Sequence, residues 1–155
     1  MNNETAAILS DYSGRTAFAN YFGHENCVML GNWETADLLF HDETIGANRL
    51  VETKMLSVSN IEQYPETLMV EKSKADRLLR RTKKFGLASP LFFFCSVFER
   101  GQFIAWIFDC EKLAGMDTVQ TIAQSKMGSN RSEVKEAYIV QKNDCEKIVN
   151  QKHLK

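Results

Sequence analysis

The chain has 155 residues, 44% of them apolar and 25% charged, with 19 basic side chains against 20 acidic ones. This composition excludes a disordered chain and a wholesale polycation, and fits one domain over residues 1–155 with a sizeable core. The longest apolar run, Pro90 to Cys95, is too short for a bilayer, and Met1 to Thr5 lacks the start of a signal peptide, so a cytoplasmic protein without membrane contact is expected.

Thr5 to Phe22 mixes small and apolar residues around Ser13-Gly14-Arg15, which predicts a helix that breaks or restarts near Gly14 and stops at Gly23. Three short strands are predicted next: Cys27 to Leu30, Ala36 to His41 and Leu50 to Leu56, with Asp42 to Gly46 as the turn between the last two. From Pro65, the spacing of Leu68, Ala75, Leu78, Leu79, Thr82 and Phe85 predicts a long helix closed by Gly86. Leu91 to Phe98 and Phe103 to Phe108 predict an aromatic hairpin turning at Glu99 to Gln102. Phe92, Phe94 and Phe98 alternate with Leu91 and Phe93, so the first of these strands is expected to be buried on both faces. Val119 to Met127 fits either helix or strand, Ala137 to Gln141 a last strand, and Lys142 to Lys155 a short helix or frayed tail. The core is expected to span about residues 5–110, with 111–155 as an accessory strand, helix and tail.

Three features bear on chemistry. The strand candidate Arg49 to Leu56 carries Glu52 and Lys54 two residues apart, hence on one face, opposite Val51, Thr53 and Met55. A second Glu-x-Lys, Glu133-Val134-Lys135, follows a polar loop with no apolar run or strand-borne acid before it. An acid and an amine beside a packed sheet are costly unless each has a partner, and a divalent cation with a phosphate would supply both. The competing reading is a solvated face of an antiparallel strand.

The second feature is the concentration of Lys72, Lys74, Arg77, Arg80, Arg81, Lys83 and Lys84 on the long helix, in a chain of net charge −1. They form either a solvated face with favourable cations at the helix C-terminus or a stripe that tracks phosphates. The third feature is what the cysteines and histidines do not do. Cys27, Cys95, Cys110 and Cys145 lack zinc-site spacing, so free thiols are expected, and His24, His41 and His153 do not cluster.

With an acid at Asp37 on one strand, Glu52-Thr53-Lys54 on the next and a basic helix after them, residues 5–108 resemble the PD-(D/E)xK nuclease superfamily. Ala36 stands where that family often has proline, and no N-terminal glutamate matches. The resemblance implies an α/β (α+β) domain of restriction endonuclease-like architecture, a central mixed sheet of about five strands flanked by helices. It implies a nuclease in which Asp37, Glu52 and the Thr53 carbonyl bind Mg²⁺ or Mn²⁺ and Lys54 orients or activates water. Lys72, Lys74, Arg77, Arg80, Arg81 and Lys84 would hold nucleic acid, DNA in the first instance, with Lys72 as the accessory residue many members place on this helix. Two alternatives stay open: a nuclease-like fold that binds nucleic acid or protein without cutting, and an interaction domain that forms a homodimer through its aromatic hairpin.

Overall fold

The computed structural model describes residues 14–31, 36–56, 66–97, 102–124 and 132–150. Residues 14–22 are helical (α1). Strands β1 (Cys27–Met29), β2 (Leu38–Asp42) and β3 (Ala47–Met55) follow, then β4 (Thr67–Glu71), α2 (Lys72–Lys84), β5 (Leu91–Val97), β6 (Phe103–Asp109), β7 (Val119–Gln124), β8 (Ser132–Gln141) and β9 (Glu146–Asn150). Six strands form a mixed sheet in the order β1-β2-β3-β5-β6-β9, and β4-β8-β7 form a smaller antiparallel sheet.

The mixed character of the large sheet comes from one pairing. β3 and β5 run parallel, Val51 opposite Leu91 and Met55 opposite Cys95, while every other pair is antiparallel. Parallel neighbours need a long crossover, here β4 and α2, and the crossover carries the basic helix over the sheet face that bears Glu52.

Alternation along the strands makes two cores. Leu50, Phe92, Phe94, Ile104, Trp106 and Phe108 meet Ala75 and Leu78 of α2 and Leu68, Val70 and Val140 of the small sheet. On the opposite face, Leu38, Phe40, Val51, Phe93 and Cys95 meet Ala17 and Phe18 of α1. The Phe18 ring packs edge-on to Phe40 and Phe93 at 4.9 and 5.1 Å between centroids. The aromatic hairpin is therefore core on both faces, as its sequence predicts. Gly14 lets α1 approach β3, because a Cβ there would lie 3.1 Å from Thr53 Oγ1.

The structure corrects the sequence-based elements in two places and decides one that the sequence left open. Residues 67–71 are strand, so the helix begins at Lys72: Leu68 and Val70 alternate into the core against β8 instead of continuing the helical stripe. Val119–Gln124 is strand β7. The polar tail contains β9, which pairs along β6 with only Ile148 of its side chains buried. The helix C-terminus forms as expected, with Leu87 N donating to Thr82 O (2.9 Å), Gly86 N to Lys83 O (3.4 Å), and Gly86 at φ 64°. This Schellman geometry needs a left-handed residue. The hairpin turn at 99–101 and the first half of the N-terminal helix lie outside the described residues.

Candidate active site

Asp37 sits one residue before β2, at the position where that strand stops pairing with β3. Its backbone N–H donates to Val51 O at 3.0 Å, and its Oδ2 accepts from Thr53 N at 2.8 Å and Thr53 Oγ1 at 3.0 Å. The carboxylate thus takes over the ladder place that a β2 carbonyl would hold. In a strand, the N–H and C=O of one residue project the same way, so the Thr53 carbonyl also faces the Asp37 side. From α1, Arg15 donates to Asp37 Oδ1 at 2.7 Å and to Leu30 O at 2.9 Å.

Glu52 follows on the other face of β3, half-buried on the side covered by α2. Burial, and then the neighbouring Asp37 charge, push its pKa up to about 7, against the opposing pull of Lys74, Arg15 and Arg77. Charge alone reaches this carboxylate; among the described residues no side-chain hydrogen bond contributes to holding it ionised. The structure therefore brings Asp37 and Glu52 together, and brings Lys74 and Arg77 of the basic helix to them.

Lys54 lies on the Glu52 face, exposed, and its charge acts on Glu71 at the junction of β4 and α2. Burial pushes the Glu71 pKa up, but Lys74, a hydrogen bond from Lys135 Nζ at 3.3 Å and the charge of Lys54 outweigh it, and the net shift is downward. Glu71 is also the N-cap residue of α2, yet its side chain makes no capping bond. The first turn of α2 has no acid and two lysines at its positive end, an arrangement the helix dipole disfavours and an anion would relieve.

The donor set for a cation is two carboxylates and a backbone carbonyl. Among the described residues no three His, Cys, Asp or Glu side chains gather as a metal centre. Hard ions such as Mg²⁺ and Mn²⁺ take carboxylate and carbonyl oxygens and complete their shell with water. A carboxylate has about four acceptor sites, so the three bonds to Asp37 leave room on Oδ1. Glu52, beside a second carboxylate and, among the described residues, without a hydrogen-bond donor, has the electrostatic need that a divalent ion meets. The residues fit the ion.

No family model matches this chain, and no curated protein does. Among solved structures, the Holliday junction resolvase Hjc of Archaeoglobus fulgidus aligns over 86% of this chain and 84% of its own, with 7% identity and a TM-score of 0.47. Those values fix neither a family nor an activity.

The other basic residues are distributed along α2. Lys72 donates to Asp76 at 2.7 Å, which raises its pKa, and lies near Tyr138 and Glu136 instead of Glu52; Lys74 takes the place facing the acids. Arg81 and Lys84 sit over the Phe85 ring at the far end of the helix. His41 bonds Asn48 near the β2–β3 turn, at the opposite end of β2 from Asp37, and His24 bonds Asn20. All four cysteines are free, and burial pushes the Cys95 and Cys110 thiols up to about 12, so both behave as core hydrophobes.

Two site residues had no functional reading from sequence. Arg15 reaches Asp37 across 22 positions, which no local pattern encodes. Lys135 belongs to the second Glu-x-Lys, and its pairing to Glu71 depends on β8 lying beside β4. No described helix is long and apolar enough to cross a membrane.

Proposed function

We propose that this chain is a divalent-metal-dependent phosphodiesterase acting on nucleic acid, DNA in the first instance. The observation that carries this reading is Glu52: a half-buried carboxyl raised to about 7, beside Asp37, without a hydrogen-bond donor among the described residues, and faced by Lys74 and Arg77. Asp37, Glu52 and the Thr53 carbonyl would hold Mg²⁺ or Mn²⁺, which when bound supplies a Lewis acid for the scissile phosphate and lowers the pKa of coordinated water. Lys74 and Arg77 bind the phosphate oxygens from the helix side, and Arg80, Arg81 and Lys84 extend that contact along the backbone. Lys72, held by Asp76, contributes charge at the margin. Lys54, on the Glu52 face of β3, orients the attacking water or the phosphate it approaches. Arg15, bonded to Asp37 Oδ1 at 2.7 Å, fixes the direction of that carboxylate as a positioning residue.

A second reading has its own observation. The Asp37 carboxylate already accepts three hydrogen bonds, one from an arginine at 2.7 Å. Arg15 supplies at this acid the positive charge that a metal would bring, which suits a nuclease-like fold that binds nucleic acid without cutting it.

Incubation with branched, single-stranded and duplex DNA in Mg²⁺, Mn²⁺ or EDTA separates the two readings. Cleavage in metal and none in EDTA is expected. Binding without cleavage under every metal condition would transfer the conclusion to the second reading.

A further inference from the structure

Phe85 is the exception among the described phenylalanines. The others are buried or half-buried, whereas Phe85, directly after α2, is 58% exposed. Its ring is flanked by the Arg81 guanidinium carbon at 5.4 Å from the centroid and the Lys84 ammonium at 5.6 Å.

The position of this ring on the helix links it to the candidate active site. At about 100° per residue, Lys74, Arg77, Arg81, Lys84 and Phe85 fall within an arc of about 100°. That arc borders the buried line of Ala75, Leu78 and Thr82, so it runs along the seam where α2 meets the sheets. Lys74 and Arg77 at its start act on Glu52, and Phe85 ends it about 16 Å further along the axis. Between Arg77 and Lys84 the chain has five cations and no acid, with Arg77, Arg81 and Lys84 on this arc and Arg80 and Lys83 beyond it. One or two cations satisfy a helix C-terminus; five leave an excess that matches a polyanion. An exposed ring within 6 Å of two cations, at the end of a cationic track, has the composition of a site that stacks a base while holding the phosphates beside it.

We propose that Phe85, with Arg81 and Lys84, is a stacking platform for an unpaired nucleotide, so that the preferred nucleic acid has a single-stranded segment along α2. The proposal rests on the nucleic-acid reading of the Asp37–Glu52 site and adds a substrate class to it. Duplex DNA keeps its bases inside the stack and offers the ring nothing, whereas every unpaired base offers a π-face.

The test is fluorescence anisotropy in EDTA with a labelled single strand and a labelled duplex of the same length, using wild type, Phe85→Ala, Phe85→Leu and Phe85→Trp. Leucine retains apolar bulk beside the cap and removes the ring. Both Ala and Leu variants are expected to lose about 5- to 100-fold in single-strand affinity, with duplex affinity within about twofold of wild type. Phe85→Trp is expected to keep single-strand affinity, with its emission quenched on binding. Unchanged single-strand binding by Phe85→Leu, with wild type binding normally, overturns the platform and leaves the nucleic-acid reading standing. Equal losses on both ligands also overturn it, because a ring that only supports the helix end affects both. Binding of neither ligand by wild type at low salt overturns the platform together with the nucleic-acid reading.

Discussion

The two ends of β3 carry opposite solutions to the same electrostatic problem. At the N-terminal end, Arg49 donates to Asp42 at 3.1 Å, Asp109 at 2.7 Å and Ser89 Oγ at 3.0 Å. Ser89 Oγ donates to Asp109 Oδ1 at 2.6 Å, which also accepts from Glu111 N at 3.0 Å. Acids, arginine and hydroxyl bond one another and tie the ends of β2, β3 and β6 together; among the described residues of this cluster, only Arg49 Nε is buried without a partner. At the other end, Asp37 is bonded, whereas among the described residues no side-chain hydrogen bond reaches Glu52, and its pKa rises to about 7. A polar cluster whose members satisfy one another serves as a clamp. One with a raised carboxyl facing cations is less stable than it could be, and a strongly perturbed carboxyl beside charged partners is a candidate functional site.

The largest expected effect tests the clamp. Arg49→Met leaves Asp42 and Asp109 half-buried without their cation, and a loss of about 3–5 kcal/mol in urea unfolding is expected. Metal and nucleic-acid binding should persist wherever the variant is folded. A midpoint equal to that of wild type would show that water screens this end as well, and the contrast between the two ends would disappear.

The next effect concerns the open end. Lys54→Ala is expected to bind Mn²⁺ and nucleic acid like wild type but to cut at least about a hundredfold more slowly, about 2.7 kcal/mol of transition-state stabilisation. Single-turnover cleavage measures it. Equal rates would remove Lys54 from the chemistry and direct attention to Lys74, whose charge acts on Glu52 itself.

A smaller effect sharpens the comparison through pH. The folded-state pKa of Glu52, near 7, lies above its ordinary value of 4.5, so between these values the folded protein holds a proton that the unfolded chain has released. Stability is therefore lost as pH rises from about 4.5 through 7. Glu52→Gln should stabilise the metal-free protein at pH 8 by on the order of 2–3 kcal/mol and be close to neutral at pH 4.5. Millimolar Mn²⁺ should shrink or reverse that advantage at pH 8, because the ion stabilises only the carboxylate form. Variant and wild type unfolding alike at both pH values would show that Glu52 is solvated and its environment ordinary.

The sequence showed the strand-borne residues of the site because a strand has a short period: Glu52 and Lys54 two apart, Phe92 and Phe94 opposite Phe93, each face read off by alternation. The basic helix was visible by charge density, and its end by Gly86. The part that depends on chain-distant partners was not legible. β9 pairs through its backbone along β6, which leaves little trace in side chains such as Glu146 and Lys147. β4 is hidden in the sequence because Leu68, Ala75 and Leu78 also satisfy helical spacing, and pairing with β8 is what makes Leu68 and Val70 alternate. Lys72 matches the accessory place by its order in the sequence; in the structure it bonds Asp76, and the helix charges that act on Glu52 are those of Lys74 and Arg77.

Titration calorimetry of Mn²⁺ into wild type, Asp37→Asn and Glu52→Gln tests the metal site most directly. Wild type is expected to show divalent-ion heat at millimolar concentration or below, and each variant to lose it while remaining folded. Absence of heat in wild type, or undiminished binding in both variants, would contradict a metal site at Asp37 and Glu52.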